Sequence, residues 1–213
     1  TNAPQVKKNA VLGYGATVID CAPTIEARKA TLAQTVDKTG AYFIPPYNDY
    51  GVVAGQATAA LELLDEVEGL DVVMAPVGGG GLISGTALTC HYLRPKVEVI
   101  AGEPKNADDA FRSFHSGQIE PVATATTIAD GLRTSLGEKT FGIIKEYVND
   151  IVTVSEEEIV TAMRHIWERM KIVIEPSCAV PLAVVLQQPA RFKGKKIGII
   201  LTGGNVDLGK LPF

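Results

Sequence analysis

The sequence predicts an α/β fold: a mostly parallel sheet with helices on both of its faces. Three observations carry that expectation. Short runs at 71–76 (DVVMAP), 97–101 (VEVIA), 151–154 (IVTV) and 196–201 (KIGIIL) are largely apolar, as strands buried on both faces must be. Helical stretches alternate with them, the order that builds a parallel sheet. Glycine turns follow two of these runs, at 78–81 and at 203–204.

Taken in order, residues 3–12 read as a short helix stopped by Gly13, and 16–21 as a strand carrying Thr17, Val18 and Ile19. A helix capped by Thr24 runs to a stop at Gly40, followed by a short strand at 41–44. The breaker-rich loop 45–50 (PPYNDY) is the best domain boundary in the chain. Beyond it come a long helix through 55–69, the strand 71–76, the glycines, and a helix over 82–93. The strand 97–101, helices over 107–114 and 140–148, and the strand 151–154 follow. Ser155 and Glu158 form a capping box for a helix reaching Met170. A helix over 179–187 leads to the strand 196–201.

The 213 residues are 46% apolar and 21% charged, enough for a sizeable core. A net charge of -4 offers no basic field to nucleic acid or anionic lipid, so an anionic ligand has to be held by local geometry. Cys21, Cys90 and Cys178 are odd in number and lack CxxC spacing, which points to a reducing, cytoplasmic setting. No apolar run is long enough to span a bilayer, and no membrane or nucleic-acid partner is expected.

Successive glycines let backbone N–H groups approach an anion, and the helix that follows adds free N–H groups and its positive dipole end. Gly78, Gly79, Gly80 and Gly81, between a strand and a helix, therefore read as a phosphate cradle. The competing reading is a turn that needs glycine only for close packing. A Walker loop is excluded because Leu82, Ile83 and Ser84 stand where Gly-Lys-Ser/Thr is required, and GxGxxG fails for want of its third glycine. At the end of the last strand, Thr202 precedes Gly203 and Gly204. In a parallel sheet both turns face the carboxyl-end crevice. A Thr hydroxyl there suits a heteroaromatic nitrogen, although a turn residue is the plainer reading.

PVGGGGLISG at 76–85, GEPKNADDA at 102–110, TIADG at 127–131, IEPSCAVPLA at 174–183 and LTGGNVD at 201–207 resemble, in order, the landmarks of one family. It is the serine racemase and threonine/serine dehydratase group of fold type II pyridoxal-phosphate enzymes. The resemblance implies a large cofactor domain at 49–213 and the remnant of a small domain at 1–48. It places the phosphate of pyridoxal 5'-phosphate on Gly78, Gly79, Gly80 and Gly81 with help from the Leu82 amide, and the pyridine nitrogen against Thr202. A neutral partner leaves that nitrogen unprotonated and favours β-elimination or racemisation. Glu103, the Ala107 carbonyl and Asp109 match the family's divalent-cation ligands, with Mg or Ca as the oxygen-loving guest. The alternative for these acids is a solvated helix start. Arg28 matches an arginine near the substrate entrance, and Tyr47 lies in the loop that touches the ring edge. Arg28 equally suits a solvated helix face. Tyr14, Lys171 and Asn205 match nucleotide contacts of some racemases, without the remaining contacts that ATP would need. His91, His115 and His165 read as surface or packing residues and Cys178 as a packed thiol; Glu175 lies on the pocket side in the family, with a helix-entry carboxylate as the plainer reading.

The resemblance further implies a small amino-acid substrate, a homodimer in the full-length form, and correspondence to a C-terminal portion. Neither the Ser/Phe-Lys-x-Arg setting of the Schiff-base lysine nor the Ser-Ser-Gly-Asn-His loop occurs in these residues. No catalytic residue is assigned, and the chain alone is expected to be inactive. The full-length protein is expected to carry out ammonia-lyase (dehydratase) chemistry or racemisation on serine, threonine or 3-hydroxyaspartate. The alternative is a non-catalytic phosphate or pyridoxal-phosphate module.

Overall fold

The computed structural model describes residues 5–122 and 125–213. The chain divides into two compact units, Thr1–Ile44 with Asn205–Leu211, and Pro45–Gly204 with Pro212–Phe213.

The first unit holds α1 (Gln5–Gly13) and α2 (Ile25–Thr39). Ala3, included in the expected first helix, lies outside the described residues. The α2 termini follow the local code: Thr24 Oγ1 accepts the Ala27 N–H at 3.1 Å, and Gly40 closes the helix at φ 68°, a left-handed conformation that glycine adopts without strain. The strands expected at 16–21 and 41–44 do not form. A strand needs a neighbour to take up its N–H and C=O groups, and the described strands all pair elsewhere. Ile19, Tyr42 and Ile44 are exposed along these unpaired segments.

The second unit is built on four parallel strands in the order β3-β2-β1-β4: β1 (Val72–Pro76), β2 (Glu98–Pro104), β3 (Asp150–Val154) and β4 (Ile197–Ile199). The central strand β1 is buried at every position, which explains its unbroken apolar sequence. Side chains alternate across it. Val73, Ala75 and Val77 join Val99, Ala101 and Ile151 in a core shared with Leu64 of α3 (Tyr50–Glu66), Ile83 and Ala87 of α4 (Gly81–Leu93), Ala110 of α5 (Asp109–Ser116) and Ile144 of α6 (Glu138–Tyr147). On the other face lies α8 (Pro176–Gln187), close enough that a Cβ on Gly102 would stand 3.0 Å from Val180 Cγ1.

α7 (Glu156–His165) carries the capping box read from sequence and continues as a wider π-helical turn over Ile166–Met170. A one-turn helix, α9 (Pro189–Phe192), was not expected. α3 begins inside the breaker-rich loop, because the Asp49 carboxylate caps Gly51 and Val52 at 2.8 and 3.3 Å. β2 runs three residues past its expected end, so Glu103 stands on a strand rather than in a loop.

Candidate functional site

All four strands run in one direction, so their carboxyl ends lie along one edge of the sheet. The tetraglycine loop leaves β1 and the Thr202 turn leaves β4, its direct neighbour. This edge is where open parallel sheets bind ligands.

The loop is enclosed on three sides. A Cβ on Gly78 would lie 3.0 Å from Leu132 Cα, and one on Gly79 would fall 2.2 Å from the Tyr47 ring. Gly80 sits at φ 90°, where a Cβ would meet Ile144 Cδ1 at 2.8 Å and Thr140 Cβ at 2.9 Å. Close packing therefore requires glycine here. It does not account for the amides. The first helix-closing bond of α4 runs from the Ser84 N–H to the Gly80 carbonyl at 3.0 Å, leaving the N–H groups of Gly81, Leu82 and Ile83 without intrahelical acceptors at the positive end of the helix.

Thr202 is exposed, and its turn is fastened to α8 by Cys178. The Cys178 sulfur accepts the N–H groups of Thr202 and Gly203 at 3.0 and 2.8 Å, lies 2.8 Å from the Gly203 carbonyl and 3.1 Å from Thr202 Oγ1. The thiol is buried, as the sequence reading has it, but it is more than packing material. Next to it, Ser177 Oγ accepts the Gly131 N–H at 3.2 Å, and Gly131 and Leu132 are the residues that wall Gly78. The two glycine turns are thus joined through 131–132 and the first turn of α8.

Glu103, near the end of β2, and Ala107 and Asp109, which follow it, are all buried. Glu103 Oε1 and Oε2 accept the N–H groups of Ala110 and Phe111 at 2.8 and 2.7 Å, so this strand carboxyl caps α5. Burial nevertheless pushes its pKa up to about 9 against the pull of those two amides. Burial also raises Asp109 to about 6, with the backbone near Asp109 and Leu136 acting in the opposite direction. Neither Asp109 oxygen has a hydrogen-bond partner. An orphaned buried carboxyl is what a hard cation would relieve. Among the described residues no group of three or more His, Cys, Asp and Glu side chains is placed to hold a metal, so a cation here would draw on Glu103, Asp109 and carbonyl oxygen.

Tyr47 is half-buried against the glycine loop, whereas Arg28 is exposed on α2 in the first unit. Tyr14 belongs to the first unit and is exposed; Lys171 belongs to the second and ends the π-helical turn at φ 59°. All three histidines are exposed. Thr140, absent from the sequence reading, bonds the Gly79 carbonyl at 2.8 Å across 61 positions, a separation over which no local pattern operates.

Comparison with known proteins supplies the family. The pattern of the family described as "Pyridoxal-phosphate dependent enzyme" matches residues 1–203. The chain is 51% identical over 211 residues to the beta-hydroxyaspartate dehydratase of Paracoccus denitrificans, covering 99% of this chain and 67% of that protein. It is 49% identical over 214 residues to a serine racemase of Dictyostelium discoideum, covering 99% and 66%. The structure of maize serine racemase superposes with a TM-score of 0.94 at 41% identity, covering 98% of this chain and 65% of that one. The chain thus spans about two thirds of the length of these relatives. A parallel sheet with glycine turns on adjacent strands, matched at this identity over nearly every residue, shows that the chain belongs to the family of pyridoxal-phosphate dependent enzymes.

Proposed function

We propose that this chain is the cofactor-holding portion of a pyridoxal-phosphate enzyme that eliminates water and ammonia from, or racemises, a β-hydroxy amino acid such as serine, threonine or 3-hydroxyaspartate. One observation carries the reading: free amides at the start of α4 beside β1 stand next to a hydroxyl-bearing turn on β4, and packing links the two. The amides of the 78–81 loop and Leu82 hold the phosphate. Thr202 Oγ1 faces the pyridine nitrogen as a neutral partner, and the Cys178 sulfur keeps that hydroxyl in place. When bound, the cofactor supplies the electron sink for carbanion chemistry at the amino-acid α-carbon.

Asp109, Glu103 and the Ala107 carbonyl hold a divalent cation, Mg or Ca, that relieves the unpaired Asp109 oxygens. Tyr47 covers the loop at the ring edge, and the family resemblance assigns Arg28 to the substrate entrance. The full-length protein is a cytoplasmic homodimer; Cys21, Cys90 and Cys178 are all free, which suits a reducing compartment. Residues 1–48 are the small-domain remnant and 49–213 the cofactor domain.

A second reading, a non-catalytic phosphate-binding module, is favoured by the missing lysine motif. One experiment separates activity from binding. The purified chain is titrated with pyridoxal phosphate, reduced with borohydride, and assayed for ammonia release from serine, threonine and 3-hydroxyaspartate. Reversible binding without turnover, with no single lysine trapped, is expected. Turnover, or stoichiometric trapping on one lysine, contradicts the inactive-portion reading; no binding contradicts the cofactor reading.

A further inference from the structure

The tetraglycine loop is held from beneath by a side chain that touches none of its free amides. Thr140, in the first turn of α6, is fully buried. Its Oγ1 lies 2.8 Å from the Gly79 carbonyl and 3.1 Å from both the N–H and the carbonyl of Gly137. A hydroxyl has one proton to give, and the shorter contact assigns it to Gly79; the oxygen lone pair takes the Gly137 N–H. The Thr140 carbonyl also accepts Ser84 Oγ, from the first turn of α4, at 3.3 Å. The start of α6 is stitched to both sides of the loop.

The consequence lies in peptide geometry. The Gly79–Gly80 peptide is trans and planar, so its C=O and N–H point in opposite directions. Tying the carbonyl to Thr140 turns the Gly80 N–H away from α6. The plane is further fixed because Gly80 packs flush on α6, where a Cβ would be 2.9 Å from Thr140 Cβ and 2.8 Å from Ile144 Cδ1.

We infer that Thr140 is the positioning residue of the phosphate cradle: its hydroxyl sets the Gly79–Gly80 peptide plane so that the Gly80 N–H faces a phosphate monoester. The inference rests on reading the loop as the phosphate site. Preorganised donors bind without the cost of ordering them, so removing the tether weakens the phosphate contact specifically.

The test compares pyridoxine 5'-phosphate and inorganic phosphate with pyridoxine, none of which carries an aldehyde to react with surface lysines. Affinities are measured on the 213-residue chain and on Thr140→Val, Thr140→Cys and Thr140→Ser, with thermal unfolding as the folding control. Thr140→Val should weaken both phosphate-bearing probes by about tenfold, the loss of one hydrogen bond to a charged group, while pyridoxine changes less than about twofold. Thr140→Cys, similar in size with a weaker donor, should fall between, and Thr140→Ser should restore binding. Should Thr140→Val fail to fold, Thr140→Cys carries the decision. Phosphate affinity unchanged in the folded variants, or an equal loss for pyridoxine, overturns the inference and leaves the cofactor reading intact. A wild-type chain that does not prefer pyridoxine 5'-phosphate over pyridoxine overturns both.

Discussion

Burial pushes the Glu103 carboxyl from an ordinary value of 4.5 up to about 9, and that of Asp109 from 3.8 up to about 6. In the cation-free fold Glu103 therefore keeps its proton at neutral pH, whereas the unfolded chain has lost it. The fold binds more protons than the unfolded chain between about 4.5 and about 9, so its stability is greatest below that window and declines as pH rises through it. A cation bound as proposed would take the proton's place and need the ionised acids, so its stabilising effect would grow with pH. Melting temperatures measured from pH 5 to 9 should fall in chelator and recover in magnesium or calcium. Replacing both Glu103→Gln and Asp109→Asn should flatten the decline and abolish the recovery. A cation effect that survives the double variant would place the ion elsewhere.

Helices are the elements that the sequence describes best, because their signals are local. Thr24 and Gly40 bound α2, and the Ser155–Glu158 box opens α7, from residues only a few positions apart. In that box Glu158 Oε2 accepts the Ser155 N–H at 2.7 Å and Ser155 Oγ accepts the Glu158 N–H at 3.3 Å. Ser155→Ala removes one of the two bonds and should cost about 1 kcal/mol, read as a fall of about 2–4 °C in melting temperature. Thr at the same position should keep most of that stability. The strands expected at 16–21 and 41–44 failed because a strand is defined by its neighbour, and β-branched composition says nothing about whether one is present. For the same reason the tethers from Thr140 to Gly79, 61 positions away, and from Cys178 to Thr202, 24 positions away, were beyond the reach of sequence patterns. The glycines themselves were legible as a turn, but which of them packing demands became clear only from Tyr47, Leu132 and Ile144 around them.

In the Pro45–Gly204 unit, the parallel order β3-β2-β1-β4 brings together a loop after residue 76 and a turn after residue 199. Alternating buried strands and helices made that class of sheet predictable, while the pairing of β1 with β4 did not follow from spacing. The sheet carries both turns, α6 tethers the first through Thr140 and α8 tethers the second through Cys178. The most direct test of the cradle is amide NMR of the chain during titration with pyridoxal phosphate. Saturable downfield shifts of the Gly80, Gly81 and Leu82 N–H resonances are expected, with inorganic phosphate moving the same signals. Saturable binding that leaves these amides unmoved would contradict the cradle.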